Sequence, residues 1–334
     1  MANYKTKIEY LQEAINSILS QTYKNFELIV IDDCSQDESV DYIKSINDDR
    51  IKLFINENNS GPAVTRNRGL EEAKGKYIAI MDSDDIALPT RIEKQVEFME
   101  NNTDVFVCGT WFEKFGIENI IRKPVITDHE MYRCQLLFSN TPITLCSPSA
   151  MIRKSMLDDN RIKYDETLLK TEDYGLWVDC SKHGEFFILK EVLLKYRTHI
   201  TQTSIKDKDE QYNYANFISR RQLQELGIEY CLQEDRWRFD VVSDKNDYLD
   251  FYRWISKIEK KNIECNYLDV NSLKKYLYLK LGNAVKRMKK KEILKVYLFT
   301  NAFSRSVIRN LAFSSVKNRI YRIRNNHFTK EINT

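Results

Sequence analysis

Tyr77-Ile78-Ala79-Ile80-Met81-Asp82-Ser83-Asp84-Asp85 is the stretch whose pattern decides the fold. Five apolar residues stop abruptly at four polar ones, as in a short strand covered on both faces whose end opens on solvent. Outward from it the same theme repeats. Phe26-Glu27-Leu28-Ile29-Val30-Ile31 is a second apolar run that stops at Asp32-Asp33. Leu11, Ala14, Ile15, Ile18 and Leu19 recur at helical spacing ahead of it. A helix over 38–46 leads to a strand over 51–55, a helix over 63–73 leads into the opening stretch, and Pro89 opens a fourth helix. Extended apolar pieces follow at 105–108 and 111–115. Strands alternating with helices predict an α/β fold: a Rossmann-like, mostly parallel sheet flanked by helices.

The chain has 334 residues, 42% of them hydrophobic and 12% aromatic, which excludes a disordered chain and allows one or two domains with a real core. No apolar run approaches the length of a bilayer span, and residues 1–8 show no leader-like apolar segment. Seven cysteines without a C-x-x-C pair speak against a disulfide framework or a zinc site and for a reducing, cytoplasmic setting. The formal charge of +3 is a sum of opposites. Residues 281–334 hold 13 Lys and Arg against 2 Asp and Glu, net +11, leaving −8 for the rest. All five prolines precede Met151, and beyond about residue 205 the pattern is mainly helical. The expected division is therefore a catalytic domain at 1–204 and a helical, basic extension at 205–334.

In an open parallel sheet, ligands sit outside the carboxyl ends of the strands. Extended residues i and i+2 share a side, so Asp82 and Asp84 can present carboxylates together to a hard cation that also binds a diphosphate. The plain alternative is an acidic turn that caps the helix after Pro89. An EF-hand loop is excluded, because its sixth position is Ala87 rather than Gly and a strand precedes it.

Three segments in order then carry a family resemblance: residues 19–33 (LSQTYKNFELIVIDD), 59–69 (NSGPAVTRNRG) and 75–85 (GKYIAIMDSDD). Together they resemble glycosyltransferase family 2, over roughly residues 1–204. The resemblance implies a GT-A fold and transfer of a sugar from a nucleotide-sugar donor, expected to be a UDP-sugar, with inversion and with Mn²⁺ or Mg²⁺. It implies that Asp33 accepts a hydrogen bond from the base, that Arg66 and Asn67 lie beside the nucleotide with Gly61 allowing close approach, and that Tyr4 touches the base. Asp82 and Asp84 would hold the metal and its diphosphate, and His199 in Tyr196-Arg197-Thr198-His199 would reach the same ion. Glu172-Asp173 in TEDYGLW (171–177) resembles the acceptor-side acidic motif, with Asp173 the first choice of general base and Glu172 the second. Residues 140–143 and 146–151 resemble the acceptor-side strand entry, without the histidine expected there.

In the family a short apolar strand precedes the segment that corresponds to Met1-Ala2-Asn3-Tyr4, so most of the first strand is expected to be missing here and nucleotide binding to be weaker. The basic C-terminal helices suggest contact with an anionic membrane surface at its cytoplasmic face, equally with packing on the body, and not with nucleic acid. A saccharide acceptor, lipid-linked, in cell-surface polysaccharide assembly would fit that setting. Two rivals are a nucleotidyltransferase, which lacks its Gly-rich phosphate loop here, and a nucleotide-sugar-binding scaffold without catalysis.

Overall fold

The computed structural model describes residues 1–124, 128–138, 145–200, 202, 206–229, 231 and 233–288. The strand entry expected at 140–143 and the basic tail from Lys289 onward lie outside the described residues. The chain forms two compact units, Met1–Ser219 and Arg220–Thr334.

The first unit opens with β1 (Ala2–Asn3), α1 (Ile8–Leu19), β2 (Leu28–Asp32), α2 (Ser39–Ser45), β3 (Ile51–Ile55), α3 (Pro62–Glu72) and β4 (Tyr77–Ala79). Helix α1 forms because Leu11, Ala14, Ile15 and Ile18 make one buried stripe, which packs with Leu28, Val30 and Ile43. Helix α3 starts at Pro62, whose missing N–H costs nothing there, after Gly61 at φ 86°. There follow β5 (Ile86–Ala87), α4 (Arg91–Asn101), β6 (Val105–Gly116), β7 (Ile120–Arg122), α5 (His129–Phe138), a 3₁₀ turn (Ser147–Ser149), β8 (Met151–Arg153), α6 (Lys154–Asn160), α7 (Glu172–Cys180), β9 (Glu185–Thr198) and α8 (Lys208–Glu225).

The strands form two sheets. One is parallel, in the order β1-β2-β3, with Leu28 opposite Ile51 through Asp32 opposite Ile55. The other runs β4-β8-β6-β9-β5, with β7 paired to β6. The α/β class is as expected, but the second sheet is mixed rather than mostly parallel. Strand β8 runs against both β4 and β6, and β5 runs against β9. Ile80 donates to Ala150 O at 2.9 Å, and from there Ala79 lies opposite Met151 and Tyr77 opposite Arg153 in antiparallel register. The pieces at 105–108 and 111–115 are one strand, interrupted by register shifts around Trp111.

The main core lies where Phe106, Val107 and Ile152 meet Leu136, Tyr174 and Trp177. Ala215 and Ile218 of α8 join it, which carries the first unit past residue 204 to Ser219. In the second unit, α9 (Glu234–Trp237), α10 (Lys245–Cys265) and α11 (Val270–Arg287) follow the end of α8. Asp244 and Asp269 cap α10 and α11 by accepting backbone N–H bonds, and Trp237, Phe251 and Trp254 cluster in the interior.

Strand β1 is only two residues long. Ala2 pairs with Ile31 and Asn3 with Asp32, and Ala2 makes an isolated parallel bridge to Asp82. That bridge joins β1 to the acidic turn after β4.

Candidate active site

The acidic turn after β4 and the N-terminus of α7 converge through Arg66. Lying on α3, Arg66 sends one guanidinium nitrogen to Glu172 Oε1 and the other to Asp82 Oδ1, at 3.1 Å for the latter. Burial works against its charge, but Glu172 and then Asp82 outweigh that and raise its pKa. Residues 66, 82 and 172, remote in sequence, thus form one charged cluster.

Asp173 is the neighbour that Arg66 does not hold. Its Oδ1 accepts the backbone N–H of Tyr174 at 2.8 Å. Burial first, and the charge of Glu172 second, push its pKa up to about 6. A half-buried carboxyl poised near neutrality has the properties of a general base. Glu172, in contrast, is paired with the Arg66 guanidinium.

Asp84 and His199 meet at 3.0 Å between Oδ2 and Nε2. Burial and the nearby Asp82 raise the pKa of Asp84, and the His199 bond opposes the shift. Asp82 is turned toward Arg66. The expected metal trio is therefore not assembled: among the described residues no three His, Cys, Asp or Glu groups converge as a metal cluster. The donor set nevertheless fits a hard cation that takes one or two carboxylates and completes its shell with phosphate oxygens. Burial first, and the neighbouring Asp82 second, disfavour the ionised form of Asp84, and such an ion would offset both.

Two expected nucleotide contacts turn out to be engaged within the chain. Asp33 Oδ1 accepts from Asn56 Nδ2 and Ser60 N, and Oδ2 from Gly61 N, at 2.8–2.9 Å. It anchors the 56–61 loop and keeps roughly one of its four acceptor positions for a ligand. Asn67 is buried; its amide donates to Tyr164 O and Glu166 Oε1 and accepts from Tyr164 N, so it fixes the 164–166 segment. A Cβ on Gly61 would meet open space, so its requirement for glycine is the positive φ. Tyr4 is exposed at the end of β1, and beyond it Lys5 N donates to Ser35 Oγ and Thr6 Oγ1 pairs with Ser83 Oγ at 2.6 Å.

Arg197 escaped the sequence analysis. Its backbone N–H donates to Asp85 Oδ1 and its Nε to Asp84 O, at 2.8 and 2.7 Å, while Nη2 reaches Glu13. The guanidinium lies over Tyr10 and Phe115, 4.1 and 4.5 Å from the ring centres. It ties α1, the end of β6 and the Asp82–Asp85 turn together next to His199. Arg91 does similar work: fully buried, it donates to Ile80 O at 2.8 Å, just before the acidic turn. A basic residue two places before His199 was the available signal; its hydrogen-bond partners are 112 to 184 residues away and leave no local trace.

The chain is similar to known proteins. The Glycosyl transferase family 2 profile matches residues 1–161. The chain is 36% identical over 240 residues to the uncharacterized glycosyltransferase MJ1057 of Methanocaldococcus jannaschii, covering 70% of this chain and 77% of that one. It is 30% identical over 292 residues to the uncharacterized glycosyltransferase RT0329 of Rickettsia typhi, covering 80% and 88%. Among solved structures, TarS 1–349 of S. aureus, in complex with UDP-GlcNAc, matches with a TM-score of 0.54 at 17% identity, covering 93% of this chain and 77% of that one. On its motifs, its α/β fold and these relatives, the chain belongs to glycosyltransferase family 2.

Proposed function

We propose that the protein transfers a sugar from a UDP-sugar to a saccharide hydroxyl with inversion, using Asp173 as the general base. The observation that carries this is the Arg66 cluster, which brings the 59–69 segment, the Asp82–Asp84 turn and the Glu172-Asp173 pair to one place. The ionised Asp173 takes the proton of the acceptor hydroxyl, the hydroxyl oxygen bonds to the anomeric carbon, and the bond to the nucleoside diphosphate breaks with its electron pair. A single displacement of this kind inverts the anomeric centre. Arg66 holds Glu172 and Asp82 in place, and the 56–61 loop anchored by Asp33 offers backbone groups beside the base. Asp82 and Asp84, with His199 alongside, would hold Mn²⁺ or Mg²⁺, whose Lewis acidity neutralises charge on the departing diphosphate. A lipid-linked acceptor in cell-surface polysaccharide assembly, met at the cytoplasmic membrane face, is supported by the +11 charge of residues 281–334. Among the described residues no helix is long and apolar enough to cross a membrane.

UDP release from a UDP-sugar panel, in the presence of Mn²⁺ and saccharide acceptors, tests the proposal. Activity that is lost in Asp84→Ala and Asp173→Asn, with both variants folded, is the expected result; undiminished activity in Asp173→Asn would remove that residue from the chemistry.

A further inference from the structure

The far end of β6 folds back into β7, with Phe112 opposite Arg122, Glu113 opposite Ile121 and Lys114 opposite Ile120. Strand β7 is exposed along its whole length, and among the described residues β6 is its one strand partner. Ile117, Ile120 and Ile121 keep 58, 45 and 51% of their surface exposed, and Ile200, just past the end of β9, keeps 78%. Single exposed apolar residues are ordinary; a group of isoleucines around one turn marks an interaction site. Adjacent residues of a strand point to opposite faces, so Ile120 and Ile121 make both faces of the hairpin tip apolar.

Behind the tip the residue types change. Arg122 and Lys123 follow Ile121, and the Lys123 ammonium sits 5.1 Å from the ring centre of Trp111. The two acids of the hairpin are matched by lysines: Glu118 pairs with Lys114 at 2.9 Å, and Glu113 with Lys195 at 3.7 Å. Arg122 and Lys123 therefore tip the local balance positive. Asn119 to Arg122 covers about 10 Å of strand, close to the depth at which amphipathic elements enter the headgroup and acyl boundary. An apolar end followed by cations and an indole matches the layers of an anionic bilayer surface.

We propose that the 117–121 tip, together with Ile200, inserts into an anionic membrane surface, with Arg122, Lys123 and Trp111 at headgroup level. A globular partner would cover one face of the hairpin and leave the other in water. A second copy paired along the outer edge of β7 would leave both faces in water. A lipid interface covers both, and at headgroup depth it still hydrates the strand-edge N–H and C=O groups.

The tip is also bonded to the candidate site. Ile117 and Glu118 donate their backbone N–H groups to Thr198 O and Thr198 Oγ1, at 3.1 and 3.0 Å, and the next residue, His199, meets Asp84. Insertion would hold the Asp84–His199 pair beside the membrane surface, where a lipid-linked saccharide presents its hydroxyls. That consequence rests on the proposed reaction; the insertion itself does not.

The test compares the full chain with its Ile117→Ser/Ile120→Ser/Ile121→Ser variant. Both keep the basic residues 281–334, so their difference reports the hairpin. In co-sedimentation with phosphatidylglycerol–phosphatidylcholine vesicles, the variant should bind about tenfold more weakly, with an unchanged thermal midpoint because the three positions are exposed. Tryptophans introduced singly as Ile120→Trp and Ile121→Trp should both be quenched by brominated acyl chains. Equal vesicle binding by the variant and the parent chain, or quenching of only one of the two tryptophans, would overturn the proposal. So would a lipid-free dimer in sedimentation equilibrium that the triple variant abolishes, which would assign the tip to a second copy. No nucleotide sugar or acceptor enters these assays, so loss of glycosyl transfer with vesicle binding intact would count against the proposed reaction alone.

Discussion

Asp173 and Glu172 are adjacent carboxylates given different work by their partners. Arg66 neutralises Glu172, whereas Asp173 keeps a pKa of about 6 through burial. kcat/KM should therefore rise with pH through a midpoint near 6 and level off above it. Asp173→Asn should lower kcat by about 10²–10⁴ and remove that limb, which a pH profile of UDP release would check. The stability effect runs the other way. A carboxyl whose folded pKa exceeds its unfolded 3.8 contributes stability at low pH that is lost as pH rises through 6. Asp173→Asn should thus leave the thermal midpoint unchanged or raise it at pH 8, as scanning calorimetry would show. Arg197 is a positioning residue. Arg197→Ala should cost about 2–3 kcal/mol in denaturant unfolding and weaken metal-dependent activity, while Arg197→Lys restores only part, since Lys lacks the flat fork that stacks on Tyr10 and Phe115. At this scale the sequence revealed which carboxylates stand at strand ends, because strand-to-acid transitions are local. It could not reveal that Asn67 and Asp33 are engaged by residues 164–166 and 56–61, since those partners meet only in the folded chain.

Among the elements, helix α11 offers a direct check: Asp269→Ala removes a cap that accepts two backbone N–H groups and should cost about 1 kcal/mol, as denaturant unfolding would show. Most helices and strands of the first half were legible, because their apolar periods are clean and Pro62 and Pro89 mark helix starts. Strand β6 was read as two pieces because Gly109 and the register shifts around Trp111 interrupt its pattern. The reversed direction of β8 was not legible, since it lies in pairing with residues far away in sequence.

For the whole molecule, the alternation of strands and helices was enough to show the α/β class, and the three ordered motifs were enough to indicate the family. The division after Ser219 was not visible in composition, because α8 is polar overall and only Ala215 and Ile218 reveal where it packs. In the proposed reaction, the Arg66 cluster and the Asp82–Asp84 turn form a metal-dependent nucleotide-sugar site. Calorimetric titration of the intact protein with a panel of nucleotide sugars, with and without Mn²⁺, tests it most directly. Binding of a UDP-sugar that requires Mn²⁺ and is lost in a folded Asp84→Ala variant is the predicted result. Failure of every nucleotide sugar to bind the folded protein in the presence of Mn²⁺ would contradict it.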